Sequence, residues 1–258
     1  MRKSITQALR RAAWGLEDRF RVRLVHIAGT RSPDDYYADL SYKSNVRALI
    51  KSRGINVVID VGANTGQFAL ALRAVGYGGR IVSFEPAARP LETLTRLASG
   101  DLAWSVRRTA LGRTTSELRM NTSHLSNFNS FRAPVEKYSS LFESAPGRES
   151  GQEVVPVARL DDVWAESVEG IDDPRCFLKV DTQGFDSEVI AGGTSVALPR
   201  CLAVQFEASV EPIYEGTPPW YELIEEVRRA GFKLSGLFPC ARGEDREVIE
   251  MDCLMIRA

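Results

Sequence analysis

"VVIDVGANTGQFALALRAVGYGGRIVSFEP", residues 57–86, decides the fold. Val57–Val61 is a short apolar run of the kind buried on both faces of a parallel sheet. Gln67–Val75 has helical character, and Arg80–Phe84 is a second buried run. Strand, glycine turn, helix and strand in that order make a βα unit, and such units build a parallel sheet covered by helices. Ligands in such sheets sit beyond the carboxyl ends of the strands, where the strand order reverses.

The turn Asp60-Val-Gly62-Ala-Asn64-Thr-Gly66 spaces its glycines four apart. That is not the GxGxxG of a dinucleotide site, and no Lys-Ser/Thr follows to make a triphosphate loop. Glycine lets the backbone turn sharply and lets a ligand approach the next helix. Glu85 ends the second strand, 19 residues beyond Gly66. A carboxylate there can accept both hydroxyls of a ribose. Ribose capture without a pyrophosphate turn suits a nucleoside free of phosphates, and S-adenosylmethionine is the obvious one.

The rest of the chain extends this rhythm. Leu91–Ala98 is expected to be helical, and Ala103–Ala110 a third strand. "VVPVARLDDVWAES" gives a strand and a helix, "CFLKVDTQG" a strand leading into "FDSEVIAGG", and "CLAVQFEA" another buried strand. A helix over 220–230 precedes "FKLSGLFPC" and "DCLMIRA", which pair as a closing antiparallel hairpin. Residues 121–152 interrupt the pattern with a Ser/Asn-rich stretch that suggests a lid. Upstream, a loop runs into a helix ending at Gly54, and "SITQALRRAAWGLEDRF" reads as an amphipathic helix within residues 1–24, which hold seven Arg or Lys against Glu17 and Asp18. Such a helix can lie on a membrane surface or pack on its own domain or on a second subunit, as in a homodimer; packing is the plainer alternative.

Composition sets limits. The chain has 258 residues, 44% hydrophobic and 26% charged, with a formal net charge of −1. A general nucleic-acid binder would need a strong basic excess, so none is expected. Cys176, Cys201, Cys240 and Cys253 form no CxxC pair, which fits a reducing cytosol better than a disulfide scaffold. No apolar run approaches the ~20 residues that span a bilayer.

Together "VVIDVGANTGQFAL", "VSFEP", "ALG" at 110–112, "VPVARLDD", "FLKVDTQGFDSEVIAGG" and "VQFEAS" resemble the FkbM family of S-adenosylmethionine-dependent methyltransferases, over roughly residues 44–256. The resemblance implies a class I methyltransferase fold: an α/β, Rossmann-like, mostly parallel seven-stranded sheet with a C-terminal antiparallel hairpin. The division would be a helical extension or lid over 1–43 and the cofactor-binding domain over 44–258. It implies that Asp60, Gly62, Asn64 and Gly66 line the methionine part of the cofactor and Glu85 its ribose. Pro86, Ala110 and Asp181 belong to the same cofactor site. Where the family usually has an acid, this chain has Gln183.

An alcohol is a poor nucleophile at neutral pH, so a base or a hard metal must take or weaken its proton. Asp181 and Glu207 end adjacent strands, and with Asp186 one turn on they suggest an Mg²⁺ site that would bind a sugar diol. Without metal, Asp181 would cap its helix and Glu207 would bind a substrate hydroxyl. Asp181 is thus a candidate for catalysis, cofactor binding and metal ligation. His124, in the Ser/Asn-rich stretch, is the second candidate base, whereas His26 in "RLVHIAG" reads as structural. Tyr36, Tyr37, Tyr42, Trp220 and Tyr221 could face a sugar or simply pack.

The leading expectation is O-methylation of a sugar hydroxyl in a glycolipid or glycosylated metabolite. A polyketide or macrolide hydroxyl is the close alternative. A scaffold that binds the cofactor without turnover is a third. An NAD-dependent oxidoreductase is disfavoured because Asp60 stands where GxGxxG needs its first glycine.

Overall fold

The computed structural model describes residues 33–123, 125–142 and 150–258. The expected helix over 1–24, His26 and His124 lie outside the described residues. Helix α1 spans Pro33–Ser52 and leads to strand β1, Val57–Val61. Then come α2 (Gln67–Ala74), β2 (Arg80–Phe84), α3 (Ala88–Ala98), β3 (Trp104–Arg107), β4 (Ala110–Gly112) and β5 (Ser116–Thr122). After two 3₁₀ turns the chain continues through β6 (Gly151–Arg159), α4 (Leu160–Ser167), β7 (Cys176–Val180), α5 (Asp186–Ala191) and α6 (Ala197–Arg200). It closes with β8 (Cys201–Ser209), α7 (Trp220–Arg229), β9 (Phe232–Arg242) and β10 (Val248–Arg257).

The main sheet has seven strands in the order β3-β2-β1-β7-β8-β10-β9. Neighbours from β3 to β8 pair in parallel, and β10 runs antiparallel to both β8 and β9. β1 is central because its five residues can all be buried, pairing with β2 on one side and β7 on the other. The order reverses between β1 and β7, so that is the crevice the ligand rule selects.

Period-two alternation assigns the two faces. Val57, Ile59, Leu178, Val180 and Phe206 pack with Trp164, Val189, Ile190, Leu223 and Val227 of α4, α5 and α7. Val58, Ile81, Phe177 and Leu254 pack on the other face with Val46, Leu49, Leu72 and Leu94 of α1, α2 and α3. Residues 38–258 form one compact unit.

Three expectations need correction. Residues 103–110 are two strands rather than one, because β2 ends at Phe84 opposite Arg107 and leaves nothing further to pair with. β4 instead joins a second sheet, β4-β6-β5. α3 starts at Ala88, with Pro90 in its first turn, where the missing N–H costs nothing. The Ser/Asn-rich stretch is not all loop: its ends belong to the antiparallel pair β5–β6, with Thr122 opposite Gly151.

Candidate active site

The turn after β1 is held by its own protein. Gly62 N and Ala63 N both donate to Phe84 O at 3.0 Å. Asn64 N donates to Glu85 Oε2 at 2.7 Å, and Ala87 N to Glu85 Oε1 at 2.9 Å. Gly62, Asn64 and Gly66 have φ of 74°, 49° and 88°. A Cβ on Gly62 would lie 1.8 Å from the backbone oxygen of Asp181, and one on Gly66 would crowd Leu94 and Trp104. These glycines are therefore demanded first by packing.

Asp60 is fully buried, with Lys179 Nζ 3.2 Å from its Oδ1 and the Ser83 hydroxyl donating to Oδ2 at 3.4 Å. Burial raises the Asp60 carboxyl above its ordinary range, against the pull of Lys179. Lys179 also reaches Asp181 Oδ2 at 3.3 Å and Gly62 O at 3.3 Å. Burial pushes the Asp181 carboxyl up, but the Lys179 ammonium and the hydrogen bonds from Gln183 and Lys179 outweigh it and leave it low. Glu85 is raised to about 7 by burial, which its two backbone donors only partly offset. Lys179 was not singled out in the sequence, yet a charge inside the buried strand "CFLKV" has to be paired.

On the same rim, Gln183 Nε2 donates to Asp181 Oδ1 at 3.1 Å and to Glu207 Oε2 at 3.0 Å. This corrects the Mg²⁺ expectation for Asp181 and Glu207: an amide group fills the space between the two carboxylates. Among the described residues no group of three or more His, Cys, Asp or Glu is disposed to hold a metal ion. Asp186 caps the loop, accepting from Thr182 Oγ1 at 3.0 Å and from Glu207 N at 3.3 Å. Behind Glu207, Tyr42 OH donates to Gln205 Oε1 at 2.8 Å, and Gln205 Nε2 to Asp252 Oδ1 at 2.7 Å.

The Ser/Asn-rich segment reaches this rim at two points. Ser126 Oγ donates to Asn64 Oδ1 at 3.0 Å, and Ser130 Oγ to Gln183 O at 2.7 Å. A cleft is lined by Gly184, Asp186, Ser187, Glu207, Ser209, Thr217 and Trp220, among others. Tyr42 packs edge-on to Phe238, and Tyr221 is exposed. Pro86 is buried next to Glu85, and Ala110 lies in a small apolar cluster with Ala87 and Met120.

The strand order, the glycine turn at its reversal and the acid ending β2 define the class I S-adenosylmethionine-dependent methyltransferase fold. The chain matches the methyltransferase FkbM domain over residues 60–234, and it belongs to that family of S-adenosylmethionine-dependent methyltransferases. It is 31% identical over 158 residues to the methyltransferase sdnD of Sordaria araneosa, covering 52% of this chain. The chain spans 59% of the length of that curated relative. Among solved structures it is similar to a methyltransferase FkbM from Methylobacillus flagellatus KT, at TM-score 0.49 and 17% identity over 78% of this chain and 43% of that one. It is also similar to Aeropyrum pernix fibrillarin in complex with S-adenosyl-L-methionine, at TM-score 0.46 and 12% identity over 86% and 76%. No helix of the described residues is long and apolar enough to cross a membrane.

Proposed function

We propose that the chain transfers a methyl group from S-adenosylmethionine to a sugar hydroxyl of a glycolipid or a glycosylated metabolite. The observation that carries this reading is the cleft at the loop between β7 and α5 and the end of β8. It combines the carboxylates of Asp186 and Glu207, the hydroxyls of Ser187, Ser209 and Thr217, and the ring of Trp220. A sugar ring offers the matching chemistry: several hydroxyls to pair with carboxylates and an apolar face to lie on an aromatic ring.

The turn fits the cofactor in its own chemistry. Asn64 and Glu85 meet at the crevice, where Asn64 N donates to Glu85 Oε2, and the Lys179 ammonium lies 3.2 Å from Asp60 and 3.3 Å from Asp181. Glu85 would accept the ribose hydroxyls. Asp60, Gly62, Asn64, Gly66 and Asp181 would surround the methionine part, with Pro86 and Ala110 flanking the nucleoside. Bound there, the cofactor supplies an electrophilic methyl on a sulfonium.

The chain's residues must then hold an acceptor oxygen in line and take its proton. Glu207 faces the cleft and is the candidate proton acceptor; burial, followed by the Asp181 charge, raises its carboxyl well above the ordinary range. Asp181, tied to Lys179 and Gln183, would steady that charge. His124 is the competing base. A glycolipid acceptor would bring the chain to a lipid surface, where the basic segment 1–24 could contribute contact.

Incubation with methyl-labelled S-adenosylmethionine and a panel of glycolipids, free glycosides and macrolides tests the reading. Label should appear on a sugar hydroxyl. Glu207→Gln should then cut turnover by ~10²-fold or more while cofactor Kd stays close to wild type. Label only on a non-sugar hydroxyl would replace the sugar by a polyketide-type acceptor. Loss of turnover in His124→Ala but not Glu207→Gln would transfer the base role to the histidine.

A further inference from the structure

Gln183 sits in the loop between β7 and α5 with φ of 54°, a left-handed conformation that side chains other than glycine rarely adopt. The backbone is pinned there by Ser130, whose hydroxyl donates to Gln183 O at 2.7 Å. Both ends of the carboxamide are hydrogen-bonded. Tyr214 OH, on a fully buried ring, donates to Gln183 Oε1 at 2.8 Å. The NH₂ end then faces the two carboxyl groups. Its two hydrogens go to Asp181 and Glu207, at 3.1 and 3.0 Å.

Two carboxyl groups directed at one point need a donor, a shared proton or a cation between them. A hard divalent cation does this with oxygen ligands at ~2.0–2.6 Å. Here the nitrogen stands at that point, so a cation could bind both oxygens only by displacing the amide from all three partners. The positive charge comes instead from Lys179, 3.3 Å from the other oxygen of Asp181.

We infer that Gln183 is a positioning residue that takes the place of a divalent cation between Asp181 and Glu207, and that Gln183→Glu converts the pair into a Mg²⁺ or Mn²⁺ site. Glutamate keeps the length and the Tyr214 contact, but it brings a third carboxylate to the same point and removes the NH₂ that bridged the others. Nothing in this depends on which acceptor the cleft takes, so it stands or falls apart from the sugar reading.

Titration of the full chain with Mn²⁺, followed by electron paramagnetic resonance and calorimetry, tests the inference without any assay of turnover. The wild-type protein should take up no Mn²⁺ at this site. Gln183→Glu should bind one ion at least ~10-fold more tightly than any wild-type binding, since affinity follows the number of charged ligands. Gln183→Leu, which removes the bridge without adding charge, should gain no such ion. Wild-type uptake of one Mn²⁺ that disappears in Glu207→Gln would overturn the inference whether or not Gln183→Glu folds. A folded Gln183→Glu protein with no gain in Mn²⁺ affinity would overturn it equally.

Discussion

At Gly62 two pieces of backbone meet: the turn leaving β1 and the chain leaving β7. Val61 pairs in register with Val180, so the residues that follow them emerge side by side. A methyl on Gly62 would stand 1.8 Å from the Asp181 oxygen, at a φ of 74°. Gly62→Ala should therefore lose more stability than the ~1–2 kcal/mol that left-handed backbone alone costs. Urea denaturation measures this, and a wild-type midpoint would show that the turn can move away from β7. Glu85 stood out in the sequence as an acid closing a buried strand after a glycine turn, and in the structure its two oxygens accept from Asn64 N and Ala87 N. The need for glycine was legible too, but its cause was not, because Asp181 lies 119 positions further on. Lys179 shows what a motif search passes over: the informative feature was a cation in a strand with no solvent-facing side.

Among elements, those of strong periodicity were readable and those with one weakly apolar side were not. β1, β2, β7 and β8 are runs of buried residues and stand where the sequence puts them. β5, "SELRMNT", buries only Met120, so no alternation marks it as a strand. The segment after it was recognisable as an interruption, but its anchors are serine hydroxyls and backbone bonds to residues 213–215, and a polar stretch has no pattern that names such partners. The serine anchors, Ser126 on Asn64 and Ser130 on Gln183, tie the segment to both loops of the crevice. Each hydroxyl bond is worth only ~1 kcal/mol, but Val135 N also donates to Ile213 O and Glu215 N to Ala133 O, so opening has to break backbone bonds as well. Limited proteolysis within residues 121–152 should slow once cofactor and acceptor are both bound. The double variant Ser126→Ala, Ser130→Ala should be cut faster than wild type in every state and show a raised acceptor KM. Equal cleavage in the empty and ternary states would make the segment a fixed wall rather than a lid.

Over the whole molecule, the sheet gathers more carboxylates at one rim than it supplies cations, and stability should register that. Burial is the leading cause that raises Glu85, Glu250 and Asp252 to about 7 and Asp186 to about 6. Each group holds its proton more tightly folded than unfolded. Between the ordinary carboxyl range of about 4 and a pH of about 7, the folded protein thus binds more protons than the unfolded chain, and stability falls as pH rises. Asp181 acts in the opposite sense, but its carboxyl is held low, so its contribution is lost only at pH values below this window. The Tm of the ligand-free protein should accordingly fall from about pH 5.5 to about pH 8 in scanning calorimetry. S-adenosylmethionine should reverse part of the trend. Its positive sulfonium and ammonium favour ionised carboxylates nearby, and its ribose hydroxyls favour an ionised Glu85, so binding pulls those protons off. The rise in Tm at a fixed excess of S-adenosylmethionine should be larger at about pH 8 than at about pH 6, and the difference should shrink in Glu85→Gln. A cofactor shift that is the same at both pH values in the wild-type protein would remove Glu85 ionisation from cofactor binding.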